Sequence, residues 1–131
     1  MRSRERPSTE TFGEAWERLF DPPAAHRGLW SPDGAPENSL AAFQAACAHG
    51  YAIELDVQLT ADGEAVVFHD DRLERMTGRE GRLRDHTAAD LGAMALKGAD
   101  ETIPTLADAL TMIGHRAMVF IELKTDRKSV V

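Results

Sequence analysis

Apolar and acidic residues alternate along Ala52-Ile53-Glu54-Leu55-Asp56-Val57, and the alternation predicts a mostly buried strand over 51–59. Successive strand side chains point to opposite faces, so Glu54 and Asp56 share one face while Ile53, Leu55 and Val57 share the other. Upstream, the short apolar step Ala24-Ala25 runs into His26-Arg27-Gly28, and a loop broken by Pro32, Asp33-Gly34 and Pro36 follows. Asn38 or Ser39 can cap a helix over 40–49, which Gly50 closes. Thr60-Ala61-Asp62-Gly63 predicts a tight turn into a strand over 64–68 that ends in His69-Asp70-Asp71. From 72 to 100 the pattern loosens into charged and glycine-containing segments, with one helical piece over 88–94 capped by Thr87. Leu106, Ala109, Leu110 and Ile113 recur at helical spacing over 106–113, and Gly114 closes that helix. A last strand over 118–124 puts Glu122 and Lys124 on one face above Phe120, with Val119, Ile121 and Leu123 opposite. At the front, Phe12, Trp16, Leu19 and Phe20 form an apolar stripe over 9–20, a packing helix that Asp21-Pro22-Pro23 stops. Strands alternating with helices suggest parallel βα units, and polar residues at strand ends suggest an α/β barrel.

Composition narrows the class. A chain of 131 residues accommodates one domain rather than two. Its 43% hydrophobic and 28% charged residues are those of a globular protein rather than a disordered one. A net charge of −7 argues against nucleic acid as a partner. No run approaches the roughly 18 apolar residues of a membrane span, and the polar start Met1-Arg2-Ser3-Arg4 lacks a signal core. A cytoplasmic location is therefore expected. Cys47, the single cysteine, excludes an internal disulfide and a cysteine-rich zinc site, and in its Ala-rich helix it reads as a small hydrophobe.

Chemistry enters through the paired acids. Two neighbouring carboxylates on an apolar strand repel each other and lose hydration, and a hard divalent cation between them relieves both costs. The plainer alternative is an edge strand with a solvated polar face. Polar groups, however, recur at every candidate strand end: His26-Arg27, Glu54 with Asp56, His69-Asp70, and Glu122 with Lys124. Acids, imidazoles and cations are thus expected to converge at one mouth. Three carboxylates leave coordination sites for water and a phosphate oxygen. Two imidazoles can trade protons with an attacking hydroxyl and a leaving alkoxide. Arginine offers phosphate a bidentate fork, and lysine offers a point charge.

The same residues carry a family likeness. His26-Arg27-Gly28, Pro36-Glu37-Asn38-Ser39, Glu54-Leu55-Asp56-Val57, Val67-Phe68-His69-Asp70, Ile103-Pro104-Thr105-Leu106 and Glu122-Leu123-Lys124 resemble, in order, the motifs of glycerophosphodiester phosphodiesterases. The resemblance implies a TIM barrel that hydrolyses glycerophosphodiesters to glycerol 3-phosphate and an alcohol with a divalent cation, Mg²⁺ or Ca²⁺. It implies Glu54, Asp56 and Glu122 as metal ligands, His26 and His69 as the acid–base pair, and Arg27 and Lys124 as phosphate holders. Either histidine fits either proton role, and attack by water or first by the glycerol hydroxyl fits equally. Glu37 and Asn38 are expected to order the loop beside the site, and Asp70 either to orient His69 or to cap the next turn. His49 suits a helix C-terminus. His86, His115, Asp71, Asp85, Asp90 and Asp126 are expected at the surface.

A TIM barrel takes roughly 250 residues and eight strands, whereas about four strands are found here from His26 onward. The expected organisation is a helical extension over 1–24 and a partial, truncated barrel over 25–131. Open parallel strands expose unpaired edges and apolar surface, which self-association would cover. Against the enzyme stands a second reading, a non-catalytic fragment that binds at most metal or a partner chain. Within enzymes, phospholipase D-like and phosphoinositide phospholipase-like barrels are the runners-up.

Overall fold

A computed structural model describes residues 24–124; the helix expected over 9–20 lies outside them. The alternating segment becomes β2 (Ala52–Leu59), and the other strands gather on it. β1 (Ala24–His26) pairs with it in parallel, with His26 opposite Glu54. On its other side β4 (Val119–Leu123) is also parallel, with Phe120 opposite Glu54 and Glu122 opposite Asp56.

The third strand departs from the parallel expectation. β3 (Ala65–Val67) runs antiparallel to the end of β2, with Val57 opposite Val67 and Leu59 opposite Ala65. The turn before it explains why. Thr60 N donates to Glu64 O at 2.9 Å, Gly63 N donates to Thr60 O at 3.0 Å, and the Thr60 hydroxyl bonds to the Asp62 carboxylate. So short a connection can only reverse the chain; a parallel return needs a crossover of a dozen or more residues.

Two apolar clusters hold these elements. Ile53, Leu55 and Val57 turn toward α1 (Leu40–Ala48) and α4 (Leu106–Ile113), burying Phe43, Ala46, Ala109 and Ile113. Cys47 is partly buried against this cluster. Ser39 caps α1 by accepting from Ala42 N, while His49 rather than Gly50 is its C-cap residue; Gly50 follows with φ +74°. Thr105 caps α4 in the same way, accepting from Asp108 N.

The loosely patterned stretch proves to have a core of its own. Leu73, Met76, Leu83, Leu91, Met94 and Leu96 pack with Val66, Phe68 and Ile103. Short pieces deliver them: α2 (Glu74–Thr77), a 3₁₀ turn at Leu83–Asp85, and α3 (Ala88–Gly92) capped by Thr87. β3 is the seam, since Val66 faces this second cluster and Val67 the first.

β4 is less covered than the alternation suggests. Ile121 is 42% and Leu123 69% exposed, because β2 is its only strand partner among the described residues.

Burial assigns the second cluster a measurable share of stability. Leu91→Ala removes a fully buried side chain and is expected to cost about 2–5 kcal/mol in urea unfolding. Leu59→Ala, at a position 62% exposed, is expected to cost less than about 0.5 kcal/mol. Equal small effects would mean that the 72–100 stretch is not packed.

Candidate functional site

The site collects where β1 and β4 end beside the middle of β2. Its first wall is the loop after His26, held in unusual backbone. Arg27 (φ +62°) and Asn38 (φ +54°) are left-handed without being glycine. They are locked by Arg27 N donating to Glu54 O at 2.7 Å and Asn38 N donating to Arg27 O at 2.8 Å. Non-glycine residues persist there only when surroundings over-determine them, and they cluster at functional sites. Gly28 between them is required: at φ +84° its added Cβ would lie 2.7 Å from Ala42 Cβ. The loop therefore rests directly on α1.

Glu54, Asp56 and Glu122 meet at the centre. Each offers a carboxylate oxygen, and these oxygens all lie within 4.8 Å of one another. Asp56 is 1% exposed; its Oδ2 accepts from Asn38 Nδ2 at 3.0 Å, and its Oδ1 lies 3.7 Å from Lys124 Nζ. Arg27 Nε stands 3.8 Å from Asp56 Oδ2. His26 Nε2 lies 3.6 Å from Glu54 Oε1, and Lys124 Nζ donates to Glu122 Oε2 at 3.2 Å. Burial, and then the neighbouring Asp56 charge, push the Glu54 carboxyl above its ordinary value. The Lys124 hydrogen bond holds Glu122 below its own. Glu54 Oε1 and Asp56 Oδ1 are buried without a hydrogen-bond partner. Two buried, under-satisfied carboxylate oxygens converging with the exposed Glu122 carboxylate form a donor set a hard divalent cation takes. The three residues fit such an ion.

His69 follows β3. Its Nδ1 lies 2.9 Å from Asp70 Oδ1, so Asp70 orients the ring, one of the two roles expected of it. The Arg75 hydrogen bond, against burial and helped by His69, holds the Asp70 carboxyl below its ordinary value. Glu37 and Asn38 do order the loop. Glu37 accepts from Arg27 Nη1 at 3.2 and 3.3 Å and from Arg75 at 2.7 and 3.1 Å. Burial would raise the Glu37 carboxyl, but Arg75 and Arg27 override it and depress it.

Of the residues expected at the site, Glu54 and Asp56 lie within β2 and Glu122 within β4, His26 ends β1, and Arg27, His69 and Lys124 closely follow β1, β3 and β4. Two that sequence reasoning misses are Arg75 and Gln58. Gln58 Nε2 donates to Phe68 O and Asp70 O, both at 2.8 Å, and so pins the backbone around His69. The two-residue period that singles out Glu54 and Asp56 reaches Gln58 next. Arg75 has no such signal. The other histidines are apart: His49 caps α1 with its ring 5.9 Å from that of Tyr51, His86 Nδ1 lies 4.0 Å from Asp90, and His115 is exposed. His86 is half-buried rather than at the surface.

Three parallel strands, β1, β2 and β4, that gather acids, His26 and cations, with His69 following the antiparallel β3, have the design of a barrel enzyme's mouth. Residues 26–129 match the glycerophosphoryl diester phosphodiesterase family, and the chain belongs to that family. A glycerophosphodiester phosphodiesterase of Caldanaerobacter subterraneus is 41% identical over 109 residues, covering 77% of this chain and 44% of its own length. Among solved structures, a phosphodiesterase of Oleispira antarctica, in complex with the product sn-glycerol-3-phosphate, superposes with a TM-score of 0.72. It is 38% identical and covers 80% of this chain and 45% of its own. The glycerophosphodiester phosphodiesterase of Agrobacterium tumefaciens gives a TM-score of 0.70 at 35% identity, covering 78% of this chain and 46% of its own. The fold is thus part of a TIM barrel, and the chain spans about half the length of the curated relatives it matches.

The charge arrangement has two measurable consequences. Removing repulsion by Glu54→Gln is expected to leave metal-free stability equal or higher, and to abolish the rise in Tm expected of the parent with a divalent cation, about 2.7 kcal/mol of stabilisation at 100 times Kd. An unchanged rise in the variant would exclude Glu54 as a ligand. Glu37 and Asp70 act at low pH. Their folded-state pKa values lie below the ordinary 4.5 and 3.8, so the unfolded chain binds protons more readily. Their stabilisation is present above those ordinary values and fades as pH falls through the folded ones. Glu37→Gln is expected to make the loss of stability as pH falls below the ordinary 4.5 shallower; an unaltered slope would contradict the assignment.

Proposed function

We propose that this protein is a metal-dependent phosphodiesterase hydrolysing glycerophosphodiesters to glycerol 3-phosphate and an alcohol. The observation that carries the reading is the meeting of three carboxylates, flanked by His26, Arg27 and Lys124, with His69 following β3. Membership of the family supports it. So does the Oleispira antarctica relative, whose bound product is sn-glycerol-3-phosphate.

Each residue then has work to do. Glu54, Asp56 and Glu122 hold the divalent cation, Mg²⁺ or Ca²⁺. When bound, that ion supplies positive charge against the phosphoryl oxygens. Arg27 and Lys124 grip the same oxygens from the side and fix the phosphate for in-line displacement. His26 and His69 move the protons, one taken from the attacking hydroxyl and one delivered to the leaving alkoxide. An ionised Asp70 keeps the His69 proton on Nδ1, which leaves Nε2 as the atom that exchanges. This chemistry belongs to glycerol and lipid metabolism, in the cytoplasm; among the described residues no helix is long and apolar enough to cross a membrane.

A specific observation favours a second reading. Ile121 and Leu123 of β4 lie open, and the chain spans 44% of the Caldanaerobacter relative. A second copy covering that edge, or a chain that binds cation without turnover, accounts for both facts. The assay separates the readings. Purified protein given glycerophosphocholine with Mg²⁺ or Ca²⁺ is expected to release glycerol 3-phosphate and to stop when a chelator is added. His26→Ala and His69→Ala are each expected to lower kcat by about 10²–10⁴-fold. A folded, monodisperse sample without turnover would overturn the enzymatic reading for this chain.

A further inference from the structure

We propose that Arg75 is a positioning residue whose single guanidinium sets the acid–base imidazole His69 and the phosphate-holding Arg27 in register with each other. The proposal rests on the phosphodiesterase reading above. Arg75 sits on α2 and touches none of the three carboxylates at the centre. Toward the loop, its Nη1 and Nη2 donate to Glu37 Oε1 at 3.1 Å and Oε2 at 2.7 Å. Toward β3, its Nε donates to Asp70 Oδ2 at 2.9 Å and its Nη2 to Asp70 Oδ1 at 3.1 Å. One planar group therefore satisfies two carboxylates at once.

Each of those carboxylates holds one working group. Asp70 Oδ1 lies 2.9 Å from His69 Nδ1, and Glu37 takes Arg27 Nη1 at 3.2 Å. The chain His69–Asp70–Arg75–Glu37–Arg27 thus joins the end of β3 to the loop after β1, Glu37 and Arg75 being 38 positions apart in sequence. An exposed ion pair contributes little by itself. This one differs because Glu37 is 4% exposed, and a buried carboxylate stripped of a bidentate partner must move or take up a proton. Met76, next to Arg75, is buried in the second cluster and anchors α2, so the guanidinium is held from behind as well. Lysine could supply the charge but not two bidentate contacts.

Separate variants cut the two arms. With glycerophosphocholine as the probe, Asp70→Asn is expected to lower kcat with KM little changed, and Glu37→Gln to raise KM. Arg75→Gln is expected to do both, lowering kcat by about 10–100-fold, and Arg75→Lys is expected not to restore it. Asp70→Asn added to Arg75→Gln is expected to cost little further kcat, since the two act on His69 through one path. A second readout needs no turnover. The metal-free parent is expected to show a downfield His69 Nδ1 proton in NMR that is lost in folded Arg75→Gln. If Arg75→Gln fails to fold, Arg75→Lys carries the same two readouts. Parental kinetics and an unmoved His69 proton in a folded variant would overturn the proposal, as would full rescue by lysine. Should the parent itself show no turnover, the enzymatic reading fails, and the His69 proton still decides whether Arg75 positions the ring.

Discussion

Repulsion among Glu54, Asp56 and Glu122 is the constraint on which this structure turns. Sheet geometry places the acids together, because β2 puts two on one face and the parallel register sets Glu122 opposite Asp56. The chain answers with a shell of donors rather than by moving them apart. Asn38 and Lys124 reach Asp56, His26 faces Glu54, and Lys124 also meets Glu122. The shell falls short on one side: Glu54 Oε1 and Asp56 Oδ1 have no hydrogen bond, and Glu54 resists ionising. That residual tension is stability withheld from the fold and available to a cation.

The left-handed backbone at Arg27 and Asn38 belongs to the same account. A loop that followed its preferred backbone would not bring an amide side chain and a guanidinium onto Asp56 while handing Arg27 N to Glu54 O. Its conformational cost is covered by Gly28 resting on Ala42 and by Glu37 buried between two arginines.

Legibility from sequence follows the range of the interaction. β2, β4 and the helix at Leu106–Ile113 are readable because their signals repeat within a few residues. The candidate site residues stand out for the same reason, lying in or just after strands in ordered motifs. The excursion from 72 to 100 is readable only at α3, which its Thr87 cap marks; the other pieces, of three and four residues, are too short to show a helical period. Its core emerges only when Leu73, Leu83, Leu91 and Ile103 meet in space. The direction of β3 misleads because alternation of strands and helices suggests parallel pairing, while the decisive fact is a tight turn at Thr60–Gly63. Arg75 is one charge among many in its stretch, and its meaning depends on Glu37, far off in the chain.

The second cluster divides the molecule's tolerance to sequence change. Around β2 each residue answers to both packing and charge, so substitutions there are answerable to the chemistry. In the excursion, Leu83, Leu91, Met94 and Leu96 answer to apolar volume alone, and many replacements of similar size would fill the same space. Drift is therefore free to accumulate in that stretch, provided α2 keeps one arginine aimed at the mouth. The boundary between the two regimes runs down a strand of three residues, β3, whose neighbouring side chains Val66 and Val67 face different cores.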